Sequence, residues 1–137
     1  MLVSTRRVAL AVKGENSRMR LAIALCAACL LAGCGTPQEL SKQAEEVHSV
    51  AAEGALLAHG AAEGDTTETF TSEHAKALRK LLRPVHGAIE DERLTEIADG
   101  VDRTLGELEA SPGDEALAAG AERKLDELAR SAEELAG

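Results

Sequence analysis

Four histidines are the side chains of this chain best suited to chemistry: His48, His59 with Glu63 four residues on, His74, and His86 with Glu90 four residues on. Imidazole nitrogens and carboxylate oxygens are ligands for zinc and other divalent ions, and residues four apart share one face of a helix. Each His-x-x-x-Glu pair therefore offers two donors from a single turn, and Glu45-x-x-His48 does the same at a spacing of three. Nucleophilic catalysis has less to work with. Ser41, Ser49, Ser72, Ser111 and Ser131 lack a Gly-x-Ser-x-Gly setting, no nucleophile and base are paired by spacing, and there is no glycine loop of the phosphate-cradling kind. A protein that is not an enzyme is the expectation.

In chain order the histidines read H…HxxxE…H…HxxxE, which resembles the ligand order of hemerythrin-like iron proteins. The resemblance covers the histidine pattern alone and implies a helical bundle with a di-iron site between its helices. That family places its ligands on four separate helices, whereas His48 and His59 fall on one helical stretch here. At about 100° per residue, His48 and His59 point well away from the apolar stripe of that stretch, beside Glu45 and Glu63. His74 lies four residues after Phe70 and four before Leu78, and His86 and Glu90 continue the line of Leu94 and Ile97. His74, His86 and Glu90 are thus expected to face inward near one helix–helix turn. They form either the polar end of a core, with His74 bonded to Glu90 or a backbone carbonyl, or three donors to a divalent ion with an open position. The polar core end is the expected arrangement and metal binding the alternative.

Lys76, Arg79, Lys80 and Arg83 are the main basic concentration. Such a cluster suits anionic lipid headgroups near a membrane, or else pairs with acidic faces of neighbouring helices such as Glu90-Asp91-Glu92.

The first 33 residues read as an address. Leu21 to Leu31 is an apolar run of signal-peptide length, too short to span a bilayer, with Arg18 and Arg20 before it. The Leu31-Ala32-Gly33-Cys34 that follows resembles the lipobox of bacterial membrane lipoproteins. That resemblance implies cleavage before Cys34, a thioether-linked diacylglyceryl group and an N-acyl chain on Cys34, no other cofactor, and anchorage on the outer face of a bacterial cell membrane. Two kinds of acyl attachment give firm anchoring where one chain is marginal. Cys26-x-x-Cys29, a redox or zinc spacing elsewhere, lies inside the apolar run and would leave with the signal. Arg6-Arg7 faintly resembles a twin-arginine signal, and Met19 is a possible true start. Residues 34–37 are a short tether and residues 38–137 the folded domain.

From Cys34 on, 10 basic residues face 23 acidic ones, a net charge of −13. Nucleic acid is an unsuitable partner for such a surface, and the lone aromatic, Phe70, provides no stacking platform. No disulfide can brace the domain, because Cys34 is its only cysteine. Apolar residues recur at helical spacing throughout. The expected fold is all-α, a small antiparallel bundle of about four helices following the signal helix. The first helix, 38–59, carries a stripe of Leu40, Ala44, Val47, Ala51, Gly54 and Ala58. The second starts near Thr66 behind an Asp65-Thr66-Thr67-Glu68 capping box, buries Phe70, His74, Ala77, Leu78 and Leu81, and stops at Pro84. The third, 86–110, buries Leu94, Ile97, Val101, Leu105 and Leu108, and the fourth starts at Ser111-Pro112. Helix one, being rich in alanine, is expected to meet a protein partner or a second copy through its small-residue stripe. The functional expectation is a lipid-anchored envelope protein of interaction or structural type.

Overall fold

The computed structural model describes residues 36–137, which form four α-helices and, among the described residues, no strand. They are α1 (Pro37–Ala62), α2 (Glu68–His86), α3 (Glu92–Ala110) and α4 (Glu115–Ala136). The connections are four or five residues long, so consecutive helices run antiparallel. α1 packs on α2 and, most extensively, on α4; α3 packs on α2 and α4 and touches α1 across the diagonal. This is the all-α bundle expected from the sequence. The segment expected to be a signal peptide, the lipobox-like residues and Cys34 lie outside the described residues.

Each helix end has a local cause. Pro37 sits in the first turn of α1, where its missing N–H removes a donor that would have no helical partner. α1 closes past residue 59 because Gly64, at φ +72°, takes a left-handed conformation open to glycine, and Asp65 N–H then donates to Gly60 O at 2.8 Å. With Asp65 engaged in closing α1, the cap of α2 moves to Thr67, whose hydroxyl accepts from Phe70 N–H at 3.2 Å. α2 runs through Pro84 instead of stopping there. Pro84 lies on the exposed side within the last turn, and Arg83 O still accepts from Gly87 N–H at 3.1 Å. His86 therefore ends α2 and does not begin α3. α3 starts behind Asp91, whose carboxylate accepts from Leu94 N–H at 2.9 Å. Ser111 closes α3 rather than capping α4, its N–H donating to Glu107 O, and Asp114 takes the cap of α4 through Leu117 N–H.

The core is built of leucine on one side and alanine on the other. Leu78, Leu82, Leu94, Leu105, Leu108 and Leu125 are fully buried, whereas α1 contributes Ala44, Val47, Ala51, Ala55, Ala58 and Ala61. The alanine stripe of α1 is thus closed within the chain, against α4 and the leucines of α3, and is not available to a partner. At its centre, a Cβ on Gly54 would lie 2.9 Å from Leu105 Cδ2 and 3.2 Å from Leu125 Cδ1. Among the described residues the buried polar side chains are Thr71 and Thr104, and both are satisfied, by Thr66 Oγ1 at 2.9 Å and by Gly100 O at 2.8 Å.

Two glycine substitutions should part in sign. Gly54→Leu overpacks the seam and is expected to lower unfolding free energy by about 1–3 kcal/mol or more. Gly120→Ala, on α4 with nothing within 4 Å of the new methyl, should raise it by about 0.5–1 kcal/mol through helix propensity. Urea titration of both variants against the parent chain measures the difference.

Candidate functional site

All four histidines are committed to a neighbouring helix. His48 Nδ1–H donates to Ala129 O at 2.9 Å and His59 Nδ1–H to Glu122 Oε1 at 3.2 Å, both from α1 to α4. His74 Nε2–H donates to Glu53 Oε1 at 2.9 Å, from α2 back to α1. His86 Nε2–H donates to Asp99 Oδ1 at 2.9 Å, from α2 to α3. Three helix seams are each crossed by at least one imidazole.

The structure does not bring His74, His86 and Glu90 together. His74 and His86 stand on one continuous helix, twelve residues apart, which is about 18 Å of rise. The expectation of a shared turn depended on Pro84 ending α2, and α2 continues. Glu90 is exposed in the α2–α3 loop rather than facing inward. Among the described residues there is no group of three or more His, Cys, Asp or Glu placed to hold a metal ion.

His74 is also less buried than its apolar neighbours suggest. α2 turns Thr71, Ala75, Leu78 and Leu82 into the core and leaves Phe70 and Leu81 outside, 52 % and 61 % exposed. The core face sits one residue on from the expected one because small Thr71 and Ala75 admit the close approach of the neighbouring helices. His74 stacks on Phe70 at that surface, with ring centroids 5.3 Å apart and planes 22° from parallel.

Of the four clustered cations, suited either to headgroups or to the acidic faces of neighbouring helices, Arg79 is held inside the bundle's own ion pairing. Its Nε–H and Nη2–H donate to the two oxygens of Asp102 at 3.0 and 3.1 Å, and Nη1–H donates to Glu109 Oε2 at 2.8 Å. Gly106 lies between those two acids on α3, and a Cβ there would stand 3.4 Å from the guanidinium carbon, so the absent side chain lets the fork lie flat on the helix. The hydrogen bonds Arg79 donates to Asp102 first, and to Glu109 second, raise its pKa against the opposing effect of burial. Lys76 pairs loosely with Glu73 at 3.7 Å, and Lys80 and Arg83 are exposed. The acids that receive Arg79 are not the Glu90-Asp91-Glu92 run. The spacing Asp102-x-x-x-Gly106-x-x-Glu109, two acids and a glycine on one helix face, is the sequence signal for this cradle.

The comparisons with known protein families, with characterised proteins and with solved structures found nothing that matches the chain.

The Arg79 cradle is partly exposed, so its contribution is modest. A double-mutant cycle of Arg79→Ala and Asp102→Ala should give a coupling of about 0.5–1 kcal/mol. Raising the salt from about 0.1 M to 1 M shortens the screening length about threefold and should shrink that coupling. Arg79→Lys, which replaces the two-pronged fork by a point charge, should recover only part of it.

Proposed function

We propose that this chain is a lipid-anchored protein of a bacterial envelope whose helical bundle works through protein contact and performs no catalysis. The observation that carries the reading is Leu31-Ala32-Gly33-Cys34 placed directly after an eleven-residue apolar run with Arg18 and Arg20 ahead of it. Length, charge placement and the cysteine agree in one register, and each is a physical requirement of export followed by acylation. α1 begins at Pro37, so only Gly35 and Thr36 separate Cys34 from rigid helix. An extended link of that length reaches about 10 Å. The bundle is thereby held close to the lipid surface that carries it.

The commitment of the polar side chains supports the non-catalytic part of the reading. Every histidine and the one strongly held arginine join helix to helix, so the residues whose types suit chemistry act as fasteners.

The test is metabolic labelling with a fatty-acid probe. The parent chain should take up label and partition with membranes. Cys34→Ala should lose both while keeping the helical content of the parent, because the four helices of the bundle lie within residues 37–136. Label retained in Cys34→Ala would overturn the reading.

A further inference from the structure

α2 carries two apolar seams. The inner one, Thr71, Ala75, Leu78 and Leu82, belongs to the core; the outer one, Phe70, His74, Ala77, Leu81 and Pro84, repeats the same 4-3-4-3 spacing one residue earlier and is left at the surface. An average of 3.5 residues per apolar step is the period at which two helices keep a common seam. Phe70, Ala77 and Leu81 are exposed along this line, and no helix of the bundle covers them.

The two flanks of the outer seam differ in sign. On the α1 side, Glu45, Glu46 and Glu53 wall a shallow depression floored by Leu81 and Val85. On the other side stand Lys76, Lys80 and Arg83, each one residue before a seam residue and hence about 100° round the helix, away from α1, with Glu73 in the same strip paired to Lys76 at 3.7 Å. The surface therefore runs acid, apolar, and net base (three cations against Glu73) across the width of α2. A two-fold axis lying parallel to α2 in the plane of that surface exchanges the flanks, setting acid against base on both sides while the two apolar seams meet. A two-fold axis perpendicular to α2 would set acid on acid and base on base. An anionic bilayer is repelled by the same glutamates, which argues for a protein on this face.

We infer that the outer face of α2 is a homodimer interface in which two copies pair α2 with α2 in parallel, Glu46 and Glu53 of each facing Lys76 and Lys80 of the other. This rests on the reading that the bundle works through protein contact, and names the partner as a second copy of the chain. The parallel arrangement leaves the α1 N-termini of both copies at the same end, as two chains anchored in one membrane require. His74, stacked on Phe70 and bonded to Glu53, lies in the middle of the seam and joins its apolar and acidic strips.

The experiment uses the full chain with Cys26, Cys29 and Cys34 replaced by alanine, so that neither acylation nor a native thiol contributes. Sedimentation equilibrium should show a reversible monomer–dimer association. Lys80→Glu and Glu46→Lys should each weaken it about tenfold, two symmetry-related contacts being lost at once, and the two together should restore it. Single cysteines at Phe70→Cys, Ala77→Cys and Pro84→Cys should each form a self-crosslinked dimer on oxidation, because a parallel seam brings every position opposite itself. Crosslinking at Ala77→Cys alone would mean an antiparallel pair and overturn the proposal. So would a chain that stays monomeric, or one that stays monomeric while binding phosphatidylglycerol vesicles in a Lys80-dependent way. None of these readouts involves the lipid on Cys34, so failure here and failure of the labelling test are separable.

Discussion

Gly54 leaves the backbone of α1 bare where Leu105 of α3 and Leu125 of α4 rest upon it, and the alanines on either side let the same closeness extend along the helix. Helices with small residues at the contact approach more nearly than helices separated by leucines, and dispersion rises steeply with that approach. α1 therefore lies deep in the bundle. Its pairing with α4 is the most extensive of the structure, and the bulk missing from α1 is supplied by the leucines of α2, α3 and α4. A helix that looks too poor in leucine to build a core becomes the one around which the core is built.

The polar side chains take their places from that geometry. Ser41 O–H donates to Ala136 O at 2.6 Å, His48 to Ala129 O, and His59 to Glu122, so the α1–α4 seam is fastened at both ends and in the middle. α2 and α3 meet through a different device, with Arg79 forked onto Asp102 and Glu109 and Ser72 O–H donating to Glu109 O. Each fastener is exposed in part, and such contacts contribute less than the apolar seam beside them. Their role is to set which helix meets which and in what register, a matter that alanine against alanine leaves loosely specified.

Local features of this fold were legible in the sequence, and features made by distant pairing were not. Helix number and type followed from apolar periodicity, and Leu94, Leu105 and Leu108 were identifiable as core because they continue one apolar stripe at helical spacing. Pro84 misled, since a proline within the last turn on the exposed side removes a single donor and leaves Arg83 O free to close the helix. The core face of α2 sits one residue on from the line of the larger apolar groups, Phe70 and Leu81, because the tight spacing set by α1 favours Thr71 and Ala75. The histidine partners, being contributed by other helices, were invisible to spacing along one helix; so were the acids of Arg79, although the glycine between them marks the place.

If close packing at Gly54 governs the bundle, α1 and α4 should be the last elements to open. Native-state hydrogen exchange read by mass spectrometry measures that order. The slowest amides are expected at residues 51–58 of α1 and 118–129 of α4, exchanging together at the free energy of global unfolding, with α2 exchanging earlier. Slower exchange in α2 and α3 than in α1 would contradict the account and transfer the organising role to the leucine core and the Arg79 cradle.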